Sequence, residues 1–301
     1  MDVMNSCNVC GAREGEVVFI AQNTHGEKIV NSDEFGVFRC DNCGNHYLKG
    51  LKTGSGFFEK YYDFSLFYRS DLKKEKGKAR KNRNLLYEFL AKSSFWGKRR
   101  LTRKALKKLG KSRVKLLDVG CGSGNKYLGL LKNERLEKYG VEIDERFAKR
   151  AKKFCQKVYV DDFVKVDFKE EKFDIITMWH VLEHILDPTA FLKKAYGVIN
   201  KDGYLIVSVP NSDSLGFRLG KKWWFHLDSP RHLYIPNWQI MQKMLKRAGF
   251  SIVKTKNSFY EYLLDLFWSV RNSAWKWAIY PFYPFFKLAS SETITIVAKK
   301  K

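Results

Sequence analysis

With 301 residues, 45% of them hydrophobic and 15% aromatic, the chain can bury a sizeable core, which excludes bulk disorder and allows one large domain with a small appendage. Its formal net charge is +24, and between Arg69 and Arg113 18 Lys or Arg stand against three acids. Such an excess works against cationic partners and favours anionic ones (phosphorylated small molecules, nucleic acid or an acidic membrane face), or else forms a solvated, lysine-rich surface.

The first twenty residues lack an apolar stretch of leader length, so no secretory signal is expected. Residues 1–56 read as a small module built on two copies of one device, Cys7-Asn8-Val9-Cys10-Gly11 and Cys40-Asp41-Asn42-Cys43-Gly44. Each Cys-x-x-Cys-Gly is a tight turn that aims two thiolates at one centre, and the glycine takes the backbone conformation the turn requires. Cys7, Cys10, Cys40 and Cys43 together supply four sulfurs for tetrahedral Zn²⁺, a closed and therefore structural site. A redox dithiol would need one pair beside a βαβ unit. Val17–Ile20 and Phe35–Arg39 are read as ribbon strands, with His25 and His46 on the surface. The other two cysteines, Cys121 and Cys155, stand alone, and the whole pattern fits the cytoplasm better than a disulfide framework.

Residues 57–113 read as a basic helical connector or lid. The aromatic run Phe57 to Phe64 can pack on the main domain; Leu85, Leu86, Phe89 and Leu90 give one apolar helix face, and Leu101, Ala105, Leu106 and Leu109 another.

From residue 114 strands and helices alternate: strands at 114–119, 138–142, 157–160, 173–178 and 203–209, helices at 125–134, 145–153 and 188–198. This pattern predicts a parallel sheet covered on both faces, with ligands beyond the carboxyl ends of its strands. The first strand runs Val114 to Val119 and stops at Gly120, Gly122 and Gly124. Glycine turns with positive φ and lets a ligand come close; with Asn125 where a third dinucleotide glycine would stand, the spacing is not the dinucleotide fingerprint. Glu142, at the tip of the second strand, can accept hydrogen bonds from both hydroxyls of a ribose.

Residues 258–290 form an aromatic insertion: twelve aromatics lie between Phe259 and Ser290, and the longest uncharged piece, Trp277 to Phe286, is too short to span a bilayer. Aromatics mixed with Lys and Arg suit an interfacial helix, an isoprenoid pocket, plain packing or a dimer contact. Glu292 to Ala298 reads as a last strand.

These stretches resemble class I S-adenosylmethionine (SAM)-dependent methyltransferases. Leu116–Gly124 and Tyr139–Asp144 match the family's first two motifs, Val158–Phe163 the third, and Phe173–Ile185 with Asp187-Pro188 the fourth. Gly203–Asn211 matches the fifth, Ala248–Phe250 leads into the sixth, and the resemblance covers roughly 113–257 and 291–299. It implies a Rossmann-like α/β fold over residues 114–301, a mostly parallel seven-stranded sheet whose seventh strand is reversed. It also implies SAM as methyl donor, with Asp118, Gly120, Cys121 and Gly122 at its methionine half, Glu142 and Ile143 at the ribose, and Asp162, Phe163 and Trp179 at the adenine. Arg69 or Arg83 would meet the methionine carboxylate. The ribbon, the double tyrosine Tyr61-Tyr62 and the segment Pro230-Arg231-His232 are similar to a subgroup acting on sugars and glycan precursors. That subgroup implies an anionic or lipid-linked sugar acceptor and peripheral contact with the inner membrane face, with no transmembrane segment. His180, His184, His226 and His232 are candidate bases for an acceptor hydroxyl, with Asp228 as orienter; His180 and His232 are chosen. His180 and His184 would share a face only if their segment were helical. RNA is the alternative acceptor, suited to the basic helices and ribbon; a non-catalytic SAM-fold interaction protein is the third reading.

Overall fold

The computed structural model describes residues 3–25, 28–53, 55–62, 81–125, 127–133, 135–257 and 262–301. Asp63, Phe64 and Arg69 lie outside these residues, as do the side chains of Arg83, Leu85, Leu86, Phe89 and Leu90.

Seven strands form the main sheet: β6 (Val114–Val119), β7 (Leu136–Val141), β8 (Lys157–Tyr159), β9 (Phe173–Trp179), β10 (Ile199–Pro210), β12 (Phe250–Asn257) and β13 (Thr293–Lys300). Their order is β12-β13-β10-β9-β6-β7-β8. β6 to β10 pair in parallel, and β13 runs antiparallel to both its neighbours. This is the Rossmann-like order with one reversed strand that the resemblance implies. Central strands are apolar throughout, as both-face burial demands: six of the seven residues of β9 are buried. Strand order reverses between β6 and β9, which opens a crevice at their carboxyl ends.

Helices α3 (Glu145–Ala151), α4 (Pro188–Val198) and α6 (Trp238–Arg247) have their first turns capped by Asp144, Asp187 and Asn237. Among the described residues between β6 and β7, the helix expected at 125–134 is one 3-10 turn, Leu128–Leu130. Asn125, Gly129 and Asn133 lower helix propensity there, and the ring of Phe154 would stand 3.0 Å from a Cβ at Gly129. Ahead of the sheet, a single helix α2 (Lys81–Leu109) replaces two separate ones and runs straight through Gly97.

The N-terminal module is β1 (Val3–Met4), a long hairpin of β2 (Gly15–His25) and β3 (Lys28–Cys40), then β4 (His46–Leu48), β5 (Leu51–Lys52) and the short helix α1 (Ser55–Tyr61). Its sheet, ordered β11-β4-β3-β2, borrows β11 (Tyr234–Ile235) from the C-terminal part of the chain. Tyr234 pairs with Tyr47 and Ile235 with His46. One continuous apolar core contains Cys7, Val37 and Tyr47 of this module together with Leu117, Met178 and Leu205 of the main sheet. The ribbon is packed into the larger domain, not hung beside it. His25 and His46, expected on the surface, are both half-buried, because β2 and β4 face this junction.

The insertion before β13 folds as α5-facing short helices: α5 (Leu215–Gly220) packs against α7 (Asp265–Val270), followed by α8 (Lys276–Ile279) and α9 (Tyr283–Ser290). Among the described residues no helix is long and apolar enough to cross a membrane.

Candidate cofactor and acceptor site

At the end of β6 the chain turns through Gly120 (φ +68°), Gly122 (φ +54°) and Gly124 (φ +70°), conformations that side chains rarely adopt. A Cβ on Gly120 would meet Val181 Cγ2 at 2.6 Å, so this turn lies directly against the loop that follows β9. Asp118 is buried beneath it and accepts a 2.6 Å hydrogen bond from Thr177 Oγ1. Burial pushes its carboxyl up to about 7. The Cys121 side chain points away, its sulfur filling the notch at Gly140, where a Cβ would lie 2.6 Å from it; only the Cys121 backbone faces the crevice side.

Glu142 closes the second strand and ties it to the turn. Gly122 N–H donates to Oε2 at 2.7 Å and Asp144 N–H to Oε1 at 3.1 Å. An ionised carboxylate has about four lone-pair sites, so two stay available for the two hydroxyls of a ribose. Next to it Ile143 is 60% exposed, and Val160, beyond the tip of β8, is 42% exposed. Two apolar side chains held out at neighbouring strand ends fit the faces of a purine. Asp162 is half-buried and accepts from Val164 N–H at 3.0 Å. Phe163 goes elsewhere: its ring is buried 4.8 Å from that of Phe191, so it supports the site from within the core. Trp179 sits on the opposite side, edge-to-face with Tyr127 at 5.4 Å. The buried Lys98 of α2 holds its ammonium 5.0 Å from the Trp179 ring centre, and its charge acts on Asp118. This lysine, one among many in the sequence, is a cation that α2 brings close to Trp179 and Asp118 beneath the glycine turn.

The sequence motif after β9 is not helical. Leu182–His184 is a 3-10 turn, so His180 and His184 do not share a face. His180 has a left-handed backbone (φ +55°), a conformation costing roughly 1–3 kcal/mol outside glycine. Its Nδ1 lies 3.1 Å from Glu183 Oε1, and its ring stacks parallel to that of His226, centroids 6.3 Å apart. Tyr262 stands edge-on to both rings. His232, in the loop before β11, brings Nε2 to 3.9 Å from the same Glu183 oxygen, while its Nδ1 lies 2.8 Å from the His226 carbonyl. Both chosen histidines therefore meet at Glu183, a residue not picked from the sequence; its place three residues after His180 was the available signal.

Glu183 is fully buried, and its Oε2 has no hydrogen-bond partner among the described residues. Burial works to raise its carboxyl, but the hydrogen bond from His180 and the charges of His180, His232 and His184 hold it below the usual carboxylate range. Burial, with His184 adding to it, lowers His232 to about 4. His184 turns from the cleft: its Nδ1 lies 3.0 Å from the Arg231 carbonyl and 3.1 Å from Tyr62 Oη. Asp228, the expected orienter, is claimed chiefly by other groups. It pairs with Arg231 at 2.5 Å and with His25 at 2.9 Å, leaving His232 at 3.8 Å. Arg231, itself buried, also donates to the carbonyls of Thr24 and Tyr61 and so pins ribbon, connector and the loop before β11 together. The same packing gives Glu183, His184 and His232 one ligand atom each within 4.8 Å of one another, a set able to hold a divalent cation.

At the ribbon, the two knuckles are formed as expected. Gly11 (φ +78°) and Gly44 (φ +75°) return N–H groups to the carbonyls of Cys7 and Cys40 at 2.7 and 2.8 Å. The four sulfurs all lie within 4.8 Å of one another, with Cys7–Cys43 at 3.7 Å and Cys10–Cys40 at 3.5 Å. A zinc–sulfur distance of about 2.3 Å requires a tetrahedral edge of about 3.8 Å, so the thiols fit Zn²⁺.

A glycine turn, an acid at the second strand tip and a reversed last strand define a Rossmann-like methyltransferase fold. A family profile described as a methyltransferase domain matches residues 89–255, more than half of the chain, and the chain belongs to that family. The ubiquinone biosynthesis O-methyltransferase of Bradyrhizobium diazoefficiens is 28% identical over 116 residues, covering 35% of this chain and 44% of that protein. An uncharacterized protein of Methanocaldococcus jannaschii is 27% identical over 148 residues, 48% of this chain and 68% of that one. The chain thus spans less than half the length of the first of these relatives. Among solved structures, magnesium protoporphyrin IX methyltransferase from Synechocystis with bound SAH superposes with a TM-score of 0.53 at 17% identity, over 82% of this chain and 100% of that one.

Proposed function

We propose that the chain is a SAM-dependent O-methyltransferase in which His180, oriented by Glu183, takes the proton from an acceptor hydroxyl. The observation that carries this reading is the His180–Glu183 pair beside the glycine turn, held at 3.1 Å in a strained backbone conformation. When bound, SAM supplies a methyl group on a positive sulfur, which departs as a neutral thioether when the acceptor oxygen forms its bond to carbon. The chain has then to bind, align and dry the site. Gly120 and Gly122 admit the methionine half, Lys98 neutralises its carboxylate, and Glu142 holds the ribose. Glu183 accepts from Nδ1–H of His180, which makes Nε2 the atom that receives the hydroxyl proton and stabilises the imidazolium as it forms. His232, its Nε2 3.9 Å from the same Glu183 oxygen, does not itself meet the acceptor. Zn²⁺ in the Cys7–Cys10–Cys40–Cys43 site holds the ribbon closed and takes no part in transfer.

For the acceptor we favour a ring-shaped hydroxyl compound, a sugar of a glycan precursor or lipid-linked intermediate. Phe225 and Tyr262, 5.7 Å apart beside His226, offer aromatic surfaces on which the C–H face of a sugar can lie. RNA is the second reading, favoured by a groove on α2 lined by Trp96, Arg99, Arg100, Arg103, Lys104 and Lys107. Transfer of labelled methyl from SAM to a lipid-linked glycan fraction, to a catechol and to total RNA tests these together. Label in the glycan fraction is expected. Label in RNA that falls steeply with salt would favour the second reading, label in the catechol a quinone-type acceptor, and binding of SAM with no label anywhere a non-catalytic role.

A further inference from the structure

Residues 262–291 carry an outer surface that their own packing does not use. The inner sides of α7, α8 and α9 close a small core of Leu266, Val270 and Ile279, with Leu215 and Leu219 of α5 against it. Trp275, Trp277, Phe282, Phe285 and Leu288 are left 55–77% exposed within fourteen residues. So many large apolar groups close together are uncommon on a surface with no partner.

The described surface charge from 262 to 291 has one sign. Asp265 is the single acid from 262 to 291, and it is buried against Lys287 at 2.5 Å and His226 at 3.0 Å. Exposed Arg218, Lys221 and Lys222 border the helices, and half-buried Arg271 and Lys276 lie among them. Lys276 holds its ammonium 5.2 Å from the Trp277 ring centre, and Arg271 and Lys222 flank Trp223 at 5.3 and 5.5 Å. Indole and phenyl rings interleaved with cations, with no exposed carboxylate among the described residues from 262 to 291, match the headgroup layer of an anionic bilayer. A second copy would bring the same positive charges face to face. The buried Asp265–Lys287 pair, and Glu292 accepting from Trp224 Nε1 at 2.6 Å, brace the helices from beneath.

We propose that this surface docks the protein on the interface of an anionic membrane, its rings entering the headgroup region while no segment crosses. Tyr262 and His226, the latter bonded to buried Asp265 of α7, link the helices beneath this surface to His180. The docking does not depend on the transfer chemistry.

Co-sedimentation of the full chain with vesicles tests it, using equal parts phosphatidylglycerol and phosphatidylcholine against phosphatidylcholine alone. Binding is expected to the anionic vesicles and to weaken with salt. The double variant Trp277→Ser, Phe285→Ser should lose roughly tenfold in partitioning per ring removed, with its unfolding temperature unchanged. Lys221→Glu with Lys222→Glu should erase the preference for phosphatidylglycerol. Failure of the native chain to sediment with anionic vesicles, or unchanged binding by the Trp277/Phe285 variant, would overturn the proposal. So would a native dimer in sedimentation velocity that this variant turns into a monomer.

Discussion

Glu183 gathers more of the chemistry than any other side chain. It is buried, ionised by its surroundings, and touches His180 directly and His232 more distantly. Glu183→Gln keeps the shape but cannot stabilise an imidazolium, so kcat should fall roughly 100-fold or more while the affinity for SAM changes little. Steady-state kinetics and calorimetry read the two separately. His232 gives a pH signature. Its folded value near 4 lies below the ordinary 6.5, so the native state refuses a proton that the unfolded chain accepts. Its contribution is complete above pH 6.5 and lost as pH falls toward 4, up to about 3 kcal/mol. His232→Asn retains an N–H near Nδ1 but does not titrate. Denaturant unfolding across that window should show the native chain losing ground to this variant as pH drops. At this scale motifs make candidates visible in the sequence: Glu142, Gly120 and His180 all lie just beyond strand ends. Lys98 and Glu183 were hidden, and Arg231 was visible only within the Pro230-Arg231-His232 segment, because their roles depend on partners distant in the chain or on a turn type that periodicity does not report.

Among the elements, the β6 turn is the most demanding. Gly120→Ala would force a Cβ to 2.6 Å from Val181 and into a left-handed conformation costing about 1–2 kcal/mol. It should lower the unfolding temperature by several degrees and weaken SAM binding by at least about tenfold, since Val181 must move toward the crevice. Calorimetry and thermal unfolding measure the pair. Sheet strands were legible because apolar runs ending in glycine or an acid have few other structural uses. Tyr127, Leu130 and Leu131 have helical spacing, yet with Asn125, Gly129 and Asn133 among them the described residues hold only a single turn. β11 could not be foreseen: two residues, Tyr234 and Ile235, carry no pattern, and their strand exists only because β4 offers an edge.

For the whole molecule, the joined core has a consequence for the metal. A ribbon hung on a tether would melt alone if the ion its four cysteines can hold were removed. Here Cys7 and Cys40 share a core with Leu117 and Met178, and Arg231 fastens Thr24 and Tyr61 to the loop before β11. Cys40→Ser, or strong chelation, should therefore lower the unfolding temperature of the methyltransferase domain too, in one cooperative transition. Two separate transitions in calorimetric unfolding would show instead that the modules are independent. The two matched Cys-x-x-Cys-Gly turns made the ribbon readable; its union with the domain depends on contacts between residues some 200 apart in sequence, as His25 with Asp228 illustrates. The most direct measurement is isothermal titration of SAM into the purified chain and into Glu142→Ala. The native chain should bind, and the variant should bind at least tenfold to a hundredfold more weakly, because two ribose hydroxyls lose a charged acceptor. No heat from the native chain, or equal affinity in the variant, would contradict the assignment of this site.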